Sequence, residues 1–144
     1  MGYRSDRMSS GGTPTQEPKR QGAVRILIAD DHDAVRQAIR EFVESCQEFA
    51  VIGEAHDGAG AVELARHLHP NIVLMDFHMP VMDGSEATRV IRRELPDVSV
   101  IGLSVHPHTE ALMRHAGACA HVQKEELVTE LYPAIFTALE TKRL

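Results

Sequence analysis

Only two cysteines occur in the 144 residues, Cys46 and Cys119, and they form no motif. That excludes a disulfide framework or a cysteine-based metal knuckle as the organising feature. No apolar run approaches the roughly 18 residues that a membrane span needs, so no transmembrane helix is expected. No secretory signal is in view, and the expectation is reduced thiols in a cytoplasmic setting. Excess positive charge is lacking too. The formal net charge is −6, which makes the domain a poor candidate for non-specific nucleic-acid binding.

What is present fits one globular domain. Hydrophobic residues make up 43% and charged residues 25%, and the length suffices for one core and not for two. Residues 1–22 carry Ser9-Ser10-Gly11-Gly12, Pro14 and Pro18 without apolar period, and read as a disordered tail or linker. Residues 23–144 read as the domain. Its pattern alternates strands with helices. Strands are predicted at 24–29, 50–55, 72–76, 98–103 and 119–122. Helices are predicted at 32–45, 59–68, 85–94, 107–115 and 125–139. Pro133 falls inside the last helix and should bend it or move its start later. Gly117 stands where glycine ends a helix. Five such βα units favour an α/β fold, a doubly wound five-stranded parallel sheet flanked by helices.

Three carboxylates finish predicted strands. Asp30 and Asp31 follow Val24–Ala29, and Asp76 ends Asn71-Ile72-Val73-Leu74-Met75. Acids at the carboxyl ends of buried parallel strands converge at one edge of the sheet, where open α/β folds place their sites. They repel one another unless a cation joins them, so a divalent-metal site with a reactive aspartate is expected. Taken alone, an Asp-Asp pair after a strand is more often a helix N-cap and its neighbour. Asp83-Gly84 reads as a turn and helix start. The nine histidines include no i,i+4 pair with a third ligand in view, and solvated surface rings are their expected state.

The pattern resembles the receiver domain of two-component response regulators over residues 24–141. It rests on Asp30-Asp31, on Asp76 within Leu-Met-Asp-Phe-His-Met-Pro-Val-Met-Asp-Gly, on Ser104 and on Lys124, all at predicted strand ends. Ala29-Asp30-Asp31-His32 and Gly53-Glu54-Ala55 resemble receivers of LuxR-type regulators and those of hybrid sensor kinases. The resemblance implies a flavodoxin-like receiver fold. It implies that Asp76 accepts a phosphoryl group from a phosphohistidine of a histidine kinase or phosphotransfer protein. It implies Mg2+ on Asp31, Asp76 and the His78 backbone carbonyl, with Asp30 acting through water. Lys124 would pair with Asp76 and then with a phosphoryl oxygen. Ser104 would serve as the switch hydroxyl. His78 and His106, two residues after Asp76 and Ser104, would flank the phosphoryl group and influence its hydrolysis. Such a domain is no enzyme on other substrates, although it catalyses its own phosphorylation and dephosphorylation. Its partners would be the kinase and a downstream output domain or protein, with a homodimer possible on activation.

His121 departs from the pattern, since the family commonly carries Tyr or Phe three residues before the lysine. The resemblance implies that the ring at that position is the second switch residue. An imidazole has less apolar area to gain from burial, so its inward state is expected to be weakly populated; a ring exposed in both states is the competing expectation. Two alternatives compete with the receiver reading. An aspartate-nucleophile phosphatase of the haloacid-dehalogenase type wants an acid where His78 stands. An interaction module would not need the five-residue set. Twenty residues follow Lys124, too few for a helix-turn-helix output. A stand-alone receiver, a truncated regulator and the end of a hybrid kinase all remain open.

Overall fold

A computed structural model describes residues 22–143. The tail reading for residues 1–22 lies outside the described residues, apart from Gly22. The chain runs β1 (Val24–Ala29), α1 (Asp33–Glu44), β2 (Phe49–Ala55), α2 (Gly58–Leu68), β3 (Ile72–Asp76) and α3 (Gly84–Glu94). It continues with β4 (Ser99–Ser104), α4 (Thr109–Ala116), β5 (Ala120–Gln123), a 3-10 turn over Lys124–Glu126, and α5 (Leu127–Arg143). The five strands form one sheet in the order β2-β1-β3-β4-β5, and every neighbouring pair is parallel. This is the doubly wound sheet expected from the alternation. No helix among the described residues is long and apolar enough to cross a membrane.

The strand pattern follows from position in the sheet. β3 and β4 are buried throughout, and their near-continuous apolar sequences are what a strand covered on both faces requires. Alternate residues feed two cores. Leu27, Ala29, Val73 and Met75 pack with Ala61, Ala65, Ala87, Ile91 and Met113 from α2, α3 and α4. Ile26, Ile28, Ile72, Leu74, Ile101 and Leu103 pack with Ile39, Val43, Leu131 and Ile135 from α1 and α5. The edge strand β5 alternates buried and half-buried residues.

Several boundaries move by a residue or two, each for a local reason. Val98 is buried, but its N–H bonds Leu95 O at 2.9 Å, so it closes a turn and β4 starts at Ser99. Thr109 N–H bonds His106 O at 3.1 Å, which puts residues 106–108 in a turn before α4. α5 begins at Leu127, later than predicted, and keeps Pro133 inside. Gly117 does end α4, with φ 119°.

The chain order reverses between β1 and β3, so a crevice opens where Asp30, Asp31 and Asp76 emerge. α3 is seated against that crevice. Asp83 accepts from Glu86 N–H, and Glu86 reciprocates at the Asp83 N–H, forming a capping box. Asp83 is therefore structural, as expected. A side chain at Gly84 would meet the Asp76 carbonyl oxygen at 2.1 Å, so only glycine lets the helix start this close to the end of β3.

Val81, in the loop between β3 and α3, has φ 72°. That region strains a β-branched residue by about 1–3 kcal/mol. Val81 is also 83% exposed, so its side chain gives little burial in return. Val81→Gly will therefore stabilise the fold by about 1 kcal/mol, net of the glycine's greater freedom when unfolded. A lower urea midpoint for the variant would contradict that strain.

Candidate functional site

The acidic pair is built by the exit of β1. Asp30 N–H bonds Ala55 O on β2 at 3.0 Å, and Arg36 of α1 donates to Asp30 O at 2.7 Å. The Asp30 side chain is 0% exposed. Its Oδ1 accepts the His32 N–H at 2.9 Å and its Oδ2 accepts from Lys124 Nζ at 2.6 Å. His32, not either aspartate, occupies the cap position of α1. Glu54 is structural, since it accepts from Arg36 Nε at 2.9 Å and from Arg40, tying β2 to α1.

Asp76 ends β3 and is 4% exposed. Lys124 Nζ lies 3.0 Å from Asp76 Oδ1, so one ammonium bridges both buried acids. Burial pushes the Asp76 carboxyl above its ordinary pKa; Lys124 opposes this, while Asp30 and Asp31 reinforce it. Burial alone would pull Lys124 down. Its bonds to Asp30 and Asp76 outweigh that and hold it raised, so it stays charged.

Asp31 is the half-buried member. Its Oδ1 is buried and accepts no hydrogen bond from the described residues, although His32 Nδ1 lies 3.1 Å away. Oxygens of Asp30 and Asp31 and a His32 ring nitrogen lie within 4.8 Å of one another. A cleft of about 420 Å³ opens beside Asp31, lined by Phe77, His78, Met79, Pro80 and Asp83. Asp30 thus bonds Lys124 directly, and His32, which carried no site role in the sequence, stands at the acidic pair.

A second cluster forms at the end of β4. Ser104 Oγ lies 3.0 Å from His106 O, 2.7 Å from Thr109 Oγ1 and 3.1 Å from His121 Nε2. Thr109 was not singled out from the sequence, because a lone threonine at a helix start gives no signal. The His121 ring crosses Gly102, where an added Cβ would meet its Cδ2 at 2.9 Å. In this conformation the ring is inward and half-buried. The missing Cβ at Gly102 makes room for it, and the bond to Ser104 offsets its small apolar area. His78 and His106 also meet, with ring centroids 5.6 Å apart and nearly perpendicular.

Burial lowers the His121 pKa, Arg114 adding to the effect and Glu110 opposing it. Its Nδ1 is buried without a partner, which disfavours a second ring proton. A lowered folded pKa means the unfolded chain binds the proton more tightly. The stability from His121 is therefore complete above the unfolded value near 6.5 and is lost as pH falls towards the folded one. His121→Phe will lose less stability than the parent between about pH 7.5 and about pH 5.5. Equal losses in urea midpoint would show that the ring stays solvated.

Asp30 and Asp31, Asp76 at the end of β3 and the bridging lysine form one constellation across three strand ends. The sequence matches the family described as the response regulator receiver domain over residues 26–136. The chain belongs to that family. It is 40% identical over 122 residues to the transcriptional regulatory protein LiaR of Bacillus subtilis (strain 168), covering 80% of this chain and 56% of the relative. It is 37% identical over 122 residues to the response regulator UvrY of Escherichia coli (strain K12), covering 83% of this chain and 56% of the relative. The receiver thus spans about half the length of these regulators. Among solved structures, a LuxR-family two-component response regulator from Aurantimonas sp. SI85-9A1 superimposes with TM-score 0.78 at 34% identity, covering 83% of this chain and 86% of that one. The response regulator domain of Thermotoga maritima CheB gives TM-score 0.76 at 26% identity, covering 82% and 97%. The LuxR-type resemblance and the flavodoxin-like receiver fold are both borne out.

Proposed function

We propose that this receiver is a phosphoacceptor switch in which Asp76 takes a phosphoryl group from a phosphohistidine of a histidine kinase or phosphotransfer protein. The observation that carries this is Lys124 bridging Asp30 and Asp76 beside an Asp31 oxygen with no hydrogen bond. That orphaned oxygen and the oxygen-rich donor set suit magnesium. Asp31, Asp76 and the His78 carbonyl would hold the ion, with Asp30 acting behind them. When bound, magnesium neutralises charge on the phosphoryl oxygens.

An Asp76 carboxylate oxygen attacks phosphorus as the P–N bond breaks, and that electron pair stays on the donor imidazole nitrogen. Lys124 moves from Asp76 Oδ1 to a phosphoryl oxygen, and Ser104 donates its hydroxyl proton to another. In a separate dephosphorylation step a water attacks phosphorus, the acyl-phosphate P–O bond breaks, inorganic phosphate leaves carrying the water's oxygen while the water's protons pass to phosphate and solvent, and the Asp76 carboxylate is restored. His78 and His106, whose rings meet edge to face, would flank the phosphoryl group and influence that water's approach. The domain acts on no other substrate, binds no nucleic acid itself and works in the cytoplasm. The altered surface is read by an output domain or protein. Exposed Leu112, Val128 and Phe136 are apolar positions open to that partner, or to a second copy in a homodimer.

The test is incubation with acetyl phosphate and magnesium, followed by intact-mass measurement. One phosphoryl group should be added, and none in the presence of a chelator. No uptake at any magnesium concentration would overturn the proposal.

A further inference from the structure

Ser104 has one hydroxyl proton and two lone pairs. Its surroundings constrain all three directions. Thr109 Oγ1 lies 2.7 Å away and His121 Nε2 lies 3.1 Å away, while His106 O lies at 3.0 Å. The carbonyl can only accept. The other two contacts are settled by counting protons across the cluster.

His121 Nδ1 is buried with no partner among the described residues. A bare lone pair there costs less than a buried N–H without an acceptor. The network therefore assigns the ring proton to Nε2, and Nε2–H donates to Ser104 Oγ. Thr109 is fully buried and has its single proton within reach of Ser104 Oγ at 2.7 Å and of His106 O at 2.9 Å. His106 O already accepts the Thr109 backbone N–H at 3.1 Å and the Ser104 hydroxyl. Ser104 Oγ is the shorter contact and has an unfilled lone pair, so the Thr109 proton goes there.

Both acceptor positions of Ser104 are then filled, and its own proton, given to His106 O at 3.0 Å, is the only valence that can turn to a new acceptor. An oxygen that accepts two hydrogen bonds is also a better donor. Phosphoryl oxygens only accept, so a serine committed to donating is what they need. We propose that Thr109 is a positioning residue that holds the Ser104 hydroxyl as a donor for the phosphoryl group, with His121 filling the second acceptor position. This rests on the phosphoacceptor reading of Asp76. It adds a residue from the start of α4 to the switch, so helix α4 is joined to the phosphoryl site through one hydroxyl.

The experiment is titration of the full chain with beryllofluoride in saturating magnesium, followed by amide NMR shifts. Thr109→Val keeps the shape and removes the proton. It should weaken beryllofluoride binding about tenfold, the loss of one buried hydrogen bond's worth of orientation, and Thr109→Ser should restore it. In a Ser104→Ala background, Thr109→Val should have no further effect, because there is no hydroxyl left to position. If Thr109→Val does not fold, Thr109→Ala is read in the same way. Unchanged affinity in the single variant, or an equal loss in the Ser104→Ala background, overturns the proposal. A parent chain that binds no beryllofluoride overturns the phosphoacceptor reading instead, and this inference falls with it.

Discussion

Asp76→Asn will take up no phosphoryl group from acetyl phosphate in saturating magnesium, and it will remain folded. The amide is no nucleophile towards phosphorus, and neighbouring acids are poorly placed to substitute. Asp30 is 0% exposed, with Oδ1 bonded to the His32 N–H and Oδ2 to Lys124. Asp31 keeps an unbonded oxygen and is the one plausible rival among the three. The loss will not be one of folding. Burial raises the Asp76 pKa, so its charged form carries a cost in the folded state. That cost is complete above the folded pKa and lifts as pH falls towards it. Asparagine removes the cost, while Lys124 retains Asp30. Stability in chelator should stay within about 1 kcal/mol of the parent, favouring the variant near neutral pH and losing that advantage in acid. Intact mass gives the first result and urea melts the second. Full labelling of Asp76→Asn would remove Asp76 from its role.

Much of this site was legible because chain period and strand ends are sequence properties. Apolar runs that finish in Asp30, Asp76 and Ser104 give the strands, and a parallel sheet collects their ends at one edge. Lys124 was legible for the same reason, although it sits in a 3-10 turn past β5. What could not be read depends on side-chain direction. The direct Asp30–Lys124 bond joins residues 94 apart in sequence, and no spacing rule connects them. The inward His121 needs the missing Cβ of Gly102, a residue on the neighbouring strand that pairs with it. Thr109 gains meaning only once the turn over residues 106–108 delays α4 and brings its hydroxyl to Ser104. Val81 was read as part of a motif, and its positive φ is a backbone fact that no composition rule supplies.

Lys124→Met should destabilise the apo domain by about 3 kcal/mol and make its stability strongly dependent on magnesium. Lys124 Nζ is 2.6 Å from Asp30 Oδ2 and 3.0 Å from Asp76 Oδ1, with its side chain 14% exposed. Methionine fills similar space without the charge, which leaves two buried carboxylates facing each other with Asp31 nearby. Removing one partner of a buried pair costs about 3–5 kcal/mol, because the other charge is left uncompensated. The lower end applies here, since Lys124 keeps some contact with water and Asp30 keeps its backbone donor. Protonation offers the variant an escape. Without the ammonium that opposes burial, the Asp76 carboxyl titrates higher still, so the deficit should be largest near about pH 7.5 and shrink as pH falls towards about pH 5. Magnesium offers a second escape, since it brings two positive charges to the same acids. The parent gains about 1.4 kcal/mol at tenfold over the dissociation constant of the ion. The variant binds magnesium through a more negative site, so it should reach that increment at lower concentration and exceed it at a fixed one. Urea midpoints with chelator and with magnesium, at both pH values, measure all three effects. A Lys124→Met midpoint equal to the parent's in chelator would show that the two acids do not depend on the ammonium, and the bridged arrangement would not be the one that stabilises this fold.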